Sequence, residues 1–239
     1  MSDRYFLPHF PQGDQPGDGC ELVGSEFHHL VRVMRKSVGD RLTVFDGQGT
    51  EADAEIVELA RTSATLRLAQ HRRDPPATRA QITLATAVPK ADRMRWLVEK
   101  ATELGVARLI PLQTTRSVVA PGTVKLDKLR QAVVEACKQS GRNRLMTIDS
   151  LISWKQFVAD VIPTQSTLIA DRGGPPLATL DLSTFATTSV LLVIGPEGGF
   201  SGTEIHEAVE AGAGTVSMGT NILRIETAAL ALAAVFLMK

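Results

Sequence analysis

Cysteine, aromatic rings, net charge and long apolar runs are all scarce in this sequence, and each scarcity removes a class of function. Of 239 residues only two are cysteine, Cys20 and Cys137. They stand in unrelated surroundings without C-x-x-C or Cys/His ligand spacing, so neither a disulfide framework nor a zinc site is expected, and no metal is assigned. A reducing, cytoplasmic setting fits. Lys+Arg and Asp+Glu each number 26, so no global field draws the chain to nucleic acid or to an anionic membrane, and any polyanion-binding surface has to be local. Aromatic residues make up 5% of the chain, too few for a surface row of base-stacking rings, and Trp96 and Trp154 are expected in the core. The most apolar stretch, Ala228 to Met238, falls short of the roughly 20 residues that cross a bilayer and reads as a buried helix. The opening MSDRYFLPHF offers no apolar segment for secretion. There is no internal repeat and no low-complexity tract.

What is present is an ordinary globular composition, 44% hydrophobic and 22% charged, sufficient for one large domain or two modest ones. LTVF at 42–45, AEIVEL at 54–59 and ATLRLA at 64–69 alternate as short strands separated by turn-rich DGQG and RTS, which predicts a small β-barrel. Ahead of them, Phe27, Leu30, Val31 and Met34 recur at helical spacing behind Ser25. HRRDPPATR at 71–79 has the composition of a linker. From Gln81 the pattern becomes α/β with a parallel sheet: ITLATAV, a helix from about Lys90 to Leu104 closed by Gly105, ARLIPL, a helix from about Val124 to Gln139, then TLIA and VLLVI. Two last helices, about 203–211 and 225–238, flank TVSMG, and the final one is apolar nearly all round, which predicts packing on every side.

Two glycine-rich loops carry the chemistry. VLLVIGPEGGFSGTE is a fully apolar strand that stops at Gly195 and leads into a helix with Ser201 and Glu204 at capping-box spacing. Ligands of open α/β sheets bind at the carboxyl ends of strands, which is where this loop falls. It fits neither G-x-x-x-x-G-K-[ST] nor G-x-G-x-x-G, so nucleoside triphosphate hydrolysis and Rossmann-type cofactor binding lose ground. A tight turn needing glycine at positive φ is the structural alternative. The second loop, MGTNILRIETAA, ends a short strand at Gly219 and presents Arg224 and Glu226 at the mouth of the final helix. Those charges are explained either by capping, with Glu226 and Thr227 at the positive end of the helix dipole, or by a ligand site with Arg224 directed at the substrate.

RYFLPHF, HHLVRVMRKSVGDRLTVFDGQG, KADRMRWLVEKATELGVARLIPLQTTRS, EACKQSGRNR, LLVIGPEGGFS and MGTNILRIETAALALA, six blocks spread from residue 4 to 234, together resemble the 16S ribosomal RNA uracil-N3 methyltransferases of the SPOUT class. The resemblance implies a PUA-like RNA-binding barrel at 1–72, a linker at 73–80, and at 81–239 a SPOUT α/β domain with a deep trefoil knot that binds S-adenosylmethionine and dimerises. It implies a cofactor lying against Ile194, Gly195, Pro196, Glu197, Gly198, Gly199, Met218, Gly219, Ile222, Leu223 and Thr227. The chain departs from the family where Asn221, Ile225 and Leu145 replace a basic residue, threonine and a nearby proline.

Methylation of uracil N3 removes a proton and spreads negative charge over O2 and O4, so a positioned cation stabilises the developing anion; Arg224 is the candidate. Arginine stays protonated, leaving proton removal to a carboxylate such as Glu226, to a phosphate or to water. Arg32, Arg35, Lys36 and Arg41, together with Lys138, Arg142 and Arg144 in KQSGRNR, are the expected RNA contacts, the substrate being 16S rRNA in the small ribosomal subunit. One of His28 and His29 reads as barrel packing. The alternatives are a SPOUT enzyme acting elsewhere on RNA, including ribose 2′-hydroxyls, whose second loop carries a different motif, and a catalytically silent RNA-binding or ribosome-assembly protein, which the intact GPEGG argues against.

Overall fold

A computed structural model gives the structure and describes residues 3–11, 19–75, 81–117, 125–181 and 189–238. The chain forms two compact units, one comprising 1–76 together with 134–145, the other 77–133 and 146–239.

The first unit is built on β1 (Arg4–Phe6), β2 (Gly19–Val23), α1 (Gly24–His28), β3 (Arg41–Phe45), β4 (Thr50–Leu59) and β5 (Ser63–Arg73). The strands make one sheet in the order β1-β3-β4-β5-β2, with β1 parallel to β3 and every other pair antiparallel. Period-two alternation sends Ala52, Ala54 and Ile56 of β4 and Ala64, Leu66 and Leu68 of β5 into a core shared with Tyr5, Leu22 and Val44. β1 and β2 escaped the sequence pattern because both are short and irregularly apolar. β5 continues to Arg73, into the charged stretch expected to be linker; that linker's later residues, 76–80, lie outside the described ones.

The helix expected from Ser25 changes character at His29. It continues as a π-helix over His29–Val33, keeping Leu30 in the core, and ends with Arg35 at φ +52°, a left-handed backbone among the described non-glycine residues found only here. His29 meets Tyr5 edge-on at 6.0 Å, so it is the packing histidine of the pair.

Residues 134–145 close this unit through polar contacts. Leu145 N–H donates to the Gly47 carbonyl at 2.9 Å, Gly49 N–H to the Asn143 carbonyl at 3.1 Å, and Asn143 Nδ2 to Asp74 at 2.9 Å. Lys138 is buried, with Nζ 3.2 Å from both Glu26 oxygens, 3.5 Å from Glu135 and 5.6 Å from the Tyr5 ring centre.

The second unit holds β6 (Ile82–Ala87), α2 (Ala91–Leu104), β7 (Arg108–Gln113), the first half of α3 (Leu126–Ser140), β8 (Thr147–Ile148), β9 (Ile152–Ser153), α4 (Trp154–Asp160), β10 (Ser166–Ala170), β11 (Val190–Ile194), α5 (Gly202–Glu210), β12 (Gly214–Val216) and α6 (Ile225–Leu237). Its sheet runs β12-β10-β11-β6-β7-β8, with β9 also on β7, and every pairing is parallel. Every residue of β6 and of β11 is buried, the signature of a parallel sheet covered on both faces.

Gly105 caps α2 at φ +103°, as its sequence position predicts. Trp154 is buried against Phe157 and Phe200, as expected, at ring-centre distances of 5.8 and 5.0 Å. Trp96 is a correction: it is 46% exposed, because it lies on the solvent side of α2, opposite the buried stripe of Met94, Leu97, Val98 and Ala101. α6 packs on α2, β6 and β11, but within one chain it is not covered all round: Leu230 and Val235 stay half-buried and Met238 is exposed.

Replacing Lys138 by alanine leaves the partly buried Glu26 carboxylate without its cation and should destabilise the first unit by about 2 kcal/mol in urea titration. Pairing Lys138→Met with Glu26→Gln should recover most of that loss; a Lys138→Ala variant as stable as the parent would show that the ion pair contributes nothing.

Candidate active site

Consecutive strands β11 and β12 lie on opposite sides of β10, so the chain reverses its direction of travel across the sheet at this point. Such a switch opens a crevice beyond the carboxyl ends of the strands. A cavity of about 410 Å³ occupies it, within the usual size range of small-molecule sites. Three strand ends supply its walls: Ala170, Asp171 and Arg172 after β10, Ile194 to Phe200 after β11, and Val216, Met218, Gly219, Asn221, Ile222 and Leu223 after β12, with Ile225 and Ala228 from α6.

Of the residues expected at a cofactor, Ile194, Gly195, Pro196, Glu197, Gly198, Gly199, Met218, Gly219, Ile222 and Leu223 line this cavity and Thr227 does not. The loop after β10 is the part that sequence reasoning missed. ADRGGPP carries no ligand motif, and only the pairing of β10 between β11 and β12 brings it here. The loop is latched beside the cavity: Ser217 N–H donates to the Pro175 carbonyl at 2.8 Å and Leu177 N–H to that of Ser217 at 2.9 Å. A Cβ on Gly174 would stand 2.7 Å from the Val216 nitrogen, so glycine alone fits against that backbone.

The glycines of GPEGG serve different needs. Gly199 has φ +67°, and its N–H closes a turn on the Pro196 carbonyl at 2.8 Å. Gly195 instead makes room, since a Cβ there would lie 2.9 Å from the Phe200 ring. The structural and ligand readings of this loop are therefore compatible: the turn exists, and it borders a cavity.

Helix α5 anchors the same loop. Ser201 Oγ accepts from Glu204 N–H at 3.1 Å and Glu204 Oε2 accepts from Ser201 N–H at 2.8 Å, completing the expected capping box. The other carboxylate oxygen accepts from Thr115 N–H at 2.8 Å, just after β7. Burial pushes the Glu204 carboxyl up, but the hydrogen bonds from Ser201 and Thr115 outweigh it and hold the group below its ordinary value of 4.5.

Arg224 is the N-cap residue of α6 and is exposed, with no side-chain capping bond; its carbonyl accepts from Ala228 N–H at 2.9 Å. Glu226 is buried and lies 3.7 Å from Arg93 of α2. Its Oε2 has no hydrogen-bond partner among the described residues, and it is not part of the cavity wall. Glu226 stands in the first turn of α6, where a carboxylate favours the positive end of the helix dipole, as the capping alternative expects.

The basic residues of the first unit divide by environment. Arg32, Arg35 and Arg41 are exposed, whereas Lys36 is bonded to Asp3 at 2.7 Å. Arg144 is half-exposed, 3.9 Å from Asp74. Arg142 is half-buried, and desolvation pushes its guanidinium below the usual value. Lys138, expected on the RNA surface, is buried and paired with the partly buried Glu26 carboxylate. No group of acidic, histidine or cysteine side chains arranged to hold a metal occurs among the described residues, and none of their helices is long and apolar enough to cross a membrane.

A family model described as an RNA methyltransferase domain matches residues 76–237, and one described as an RNA methyltransferase PUA domain matches 22–69. The class is therefore that of RNA methyltransferases with a PUA domain. Ribosomal RNA small subunit methyltransferase E of Bacillus subtilis is 29% identical, covering 95% of this chain and 93% of the relative. The protein of that name from Synechocystis sp. is 33% identical, covering 87% of this chain and 69% of the relative. The crystal structure of ribosomal RNA small subunit methyltransferase E from Neisseria gonorrhoeae bound to S-adenosyl methionine superposes with a TM-score of 0.87 at 28% identity, covering 98% and 96% of the two chains. The chain belongs to the ribosomal RNA small subunit methyltransferase E family.

Because Glu204 is held below its ordinary value, the stability it contributes is complete above about pH 4.5 and drains away as pH falls through the lower folded value. Thermal unfolding followed between pH 7 and pH 3 should show a steeper acid loss for the parent than for Glu204→Gln. Parallel acid profiles would mean that the two N–H bonds do not hold the charged form.

Proposed function

We propose that this protein transfers a methyl group from S-adenosylmethionine to N3 of one uridine in the 16S rRNA of the small ribosomal subunit. The observation that carries the reading is the convergence of both glycine loops on one cavity at the strand ends. The residues present suit the cofactor. Ile194, Met218, Ile222 and Leu223 offer apolar walls for a purine, the carboxylates of Asp171 and Glu197 suit an ammonium group, and Arg172 suits a carboxylate. The bound relative from Neisseria gonorrhoeae supports the same cofactor. Such a knotted, dimeric domain at 81–239, a linker at 73–80 and an RNA-holding barrel at 1–72 complete the architecture we infer, acting in the cytoplasm.

S-adenosylmethionine supplies an electrophilic methyl group on a sulfonium. The loops hold the acceptor nitrogen in line with that group and keep water away, which accounts for much of the rate gain in a displacement of this kind. As the N3–H proton passes to water or an RNA phosphate and the new N–C bond forms at the expense of the methyl–sulfur bond, Arg224 stabilises the charge on O2 and O4. Glu226, 3.7 Å from Arg93 and outside the cavity wall, stands on the first turn of α6 that follows Arg224 and leaves proton removal to the other acceptors. Arg32, Arg35, Lys36, Arg41, Arg142 and Arg144 meet RNA phosphates, while the buried Lys138 holds Glu26 in the same unit. A second copy of the chain covers exposed Trp96 and the half-buried side of α6, two apolar features on helices that pack together.

Labelled methyl transfer to small subunits that lack their own uracil-N3 methylation, followed by nuclease digestion and mass spectrometry, should yield 3-methyluridine at one position. Absence of transfer despite demonstrated cofactor binding would overturn the proposed substrate. Arg224→Ala should lower kcat on the order of 100-fold while leaving cofactor affinity within about twofold. Equal loss of both would move Arg224 into the cofactor pocket. Light scattering at micromolar concentration should give the mass of two chains, and a monomer mass would refute the dimer.

A further inference from the structure

Arg116 lies outside the two glycine loops and does not border the cavity, yet it grips the loop that does. Its Nη1 donates to the Gly198 carbonyl at 2.6 Å and approaches the Phe200 carbonyl at 3.4 Å. The side chain runs so close that a Cβ on Gly198 would stand 3.3 Å from Arg116 Cδ. The residue before it, Thr115, gives its N–H to buried Glu204, which also holds Ser201 N–H. Two successive residues after β7 thus brace both sides of the turn that runs from Gly198 to Ser201.

A trans peptide carries its C=O and the following N–H on opposite sides of one plane. Fixing the Gly198 carbonyl on a guanidinium therefore fixes the direction of Gly199 N–H, which closes the turn on Pro196. Gly199, at φ +67°, has no side chain to restrict that plane by itself. A charged donor on a carbonyl is worth more than a neutral one, so the brace holds where glycine alone would leave the loop loose.

We infer that Arg116 is a positioning residue for cofactor binding: it pre-organises the GPEGGF loop, so that the ordering cost is met before S-adenosylmethionine arrives. This rests on the cofactor assignment proposed above. The rival role for an exposed arginine in an RNA enzyme is direct contact with phosphate, and the two roles separate in measurement.

The test is calorimetric titration of the full-length protein with S-adenosylmethionine, for the parent, Arg116→Met and Arg116→Lys, with melting temperatures and with KM for cofactor and for small subunits measured separately. Losing one charged hydrogen bond predicts cofactor Kd and KM for cofactor raised about tenfold in Arg116→Met. Saturating kcat and KM for subunits should hold, and Arg116→Lys, which keeps a charged donor, should recover part of the affinity. Unchanged cofactor affinity in Arg116→Met, with a raised KM for subunits and a shallower salt dependence, would overturn the inference in favour of phosphate contact. A fall in melting temperature matched by equal weakening in both variants would reduce Arg116 to general stability and overturn it as well. Failure of the parent itself to bind S-adenosylmethionine would instead bring down the cofactor assignment, a result distinguishable from the others because it needs no variant.

Discussion

A parallel sheet buried on both faces has no polar surface of its own, and the rest of the second unit follows from that constraint. Every backbone N–H and C=O in the middle of β6 and β11 is spent on a neighbouring strand, and their side chains are buried from end to end. Polar chemistry is then confined to the strand ends, where unpaired backbone and turning loops meet water. With β11 and β12 on either side of β10, three such ends crowd together, and their loops enclose space that no single one of them could.

Loops that enclose a ligand need to be held open and held still. Here the bracing hydrogen bonds come from outside them. Glu204 uses one oxygen for its own helix N-terminus and the other for Thr115, more than eighty positions earlier, while Arg116 takes two carbonyls of the glycine turn. Missing side chains allow close packing beside the cavity: Gly195 yields to Phe200 and Gly174 to the backbone of β12. The loop after β11 is thus hydrogen-bonded from outside at the rim of the cavity that it lines.

The first unit manages charge in the opposite way. With no net charge on the chain, its lysines and arginines are sorted by partner rather than by number. Lys138 and Arg4 are consumed by Glu26 and Glu51 in partly buried pairs that tie distant segments together, while Arg32, Arg35 and Arg41 remain at the surface. Losing an inner charge leaves its partner stranded, whereas losing an outer one costs the fold little.

The sequence by itself determined the α/β alternation, the fully apolar strands, the Gly105 cap, the Ser201–Glu204 capping box and most of the cavity wall. All of these depend on neighbours within a few positions or on a family motif carried intact. It could not show the loop after β10, the grip of Arg116, the inward turn of Lys138 or the exposure of Trp96. Nor did it show β1, β2 and α4, which are too short for periodicity to rise above chance. Each of these was decided by which strands pair and which helix faces are covered, and a parallel sheet makes those choices between residues far apart in the chain. Local pattern records what a segment prefers; the partner that satisfies a buried charge or a bare carbonyl exists only once the sheet has brought it there.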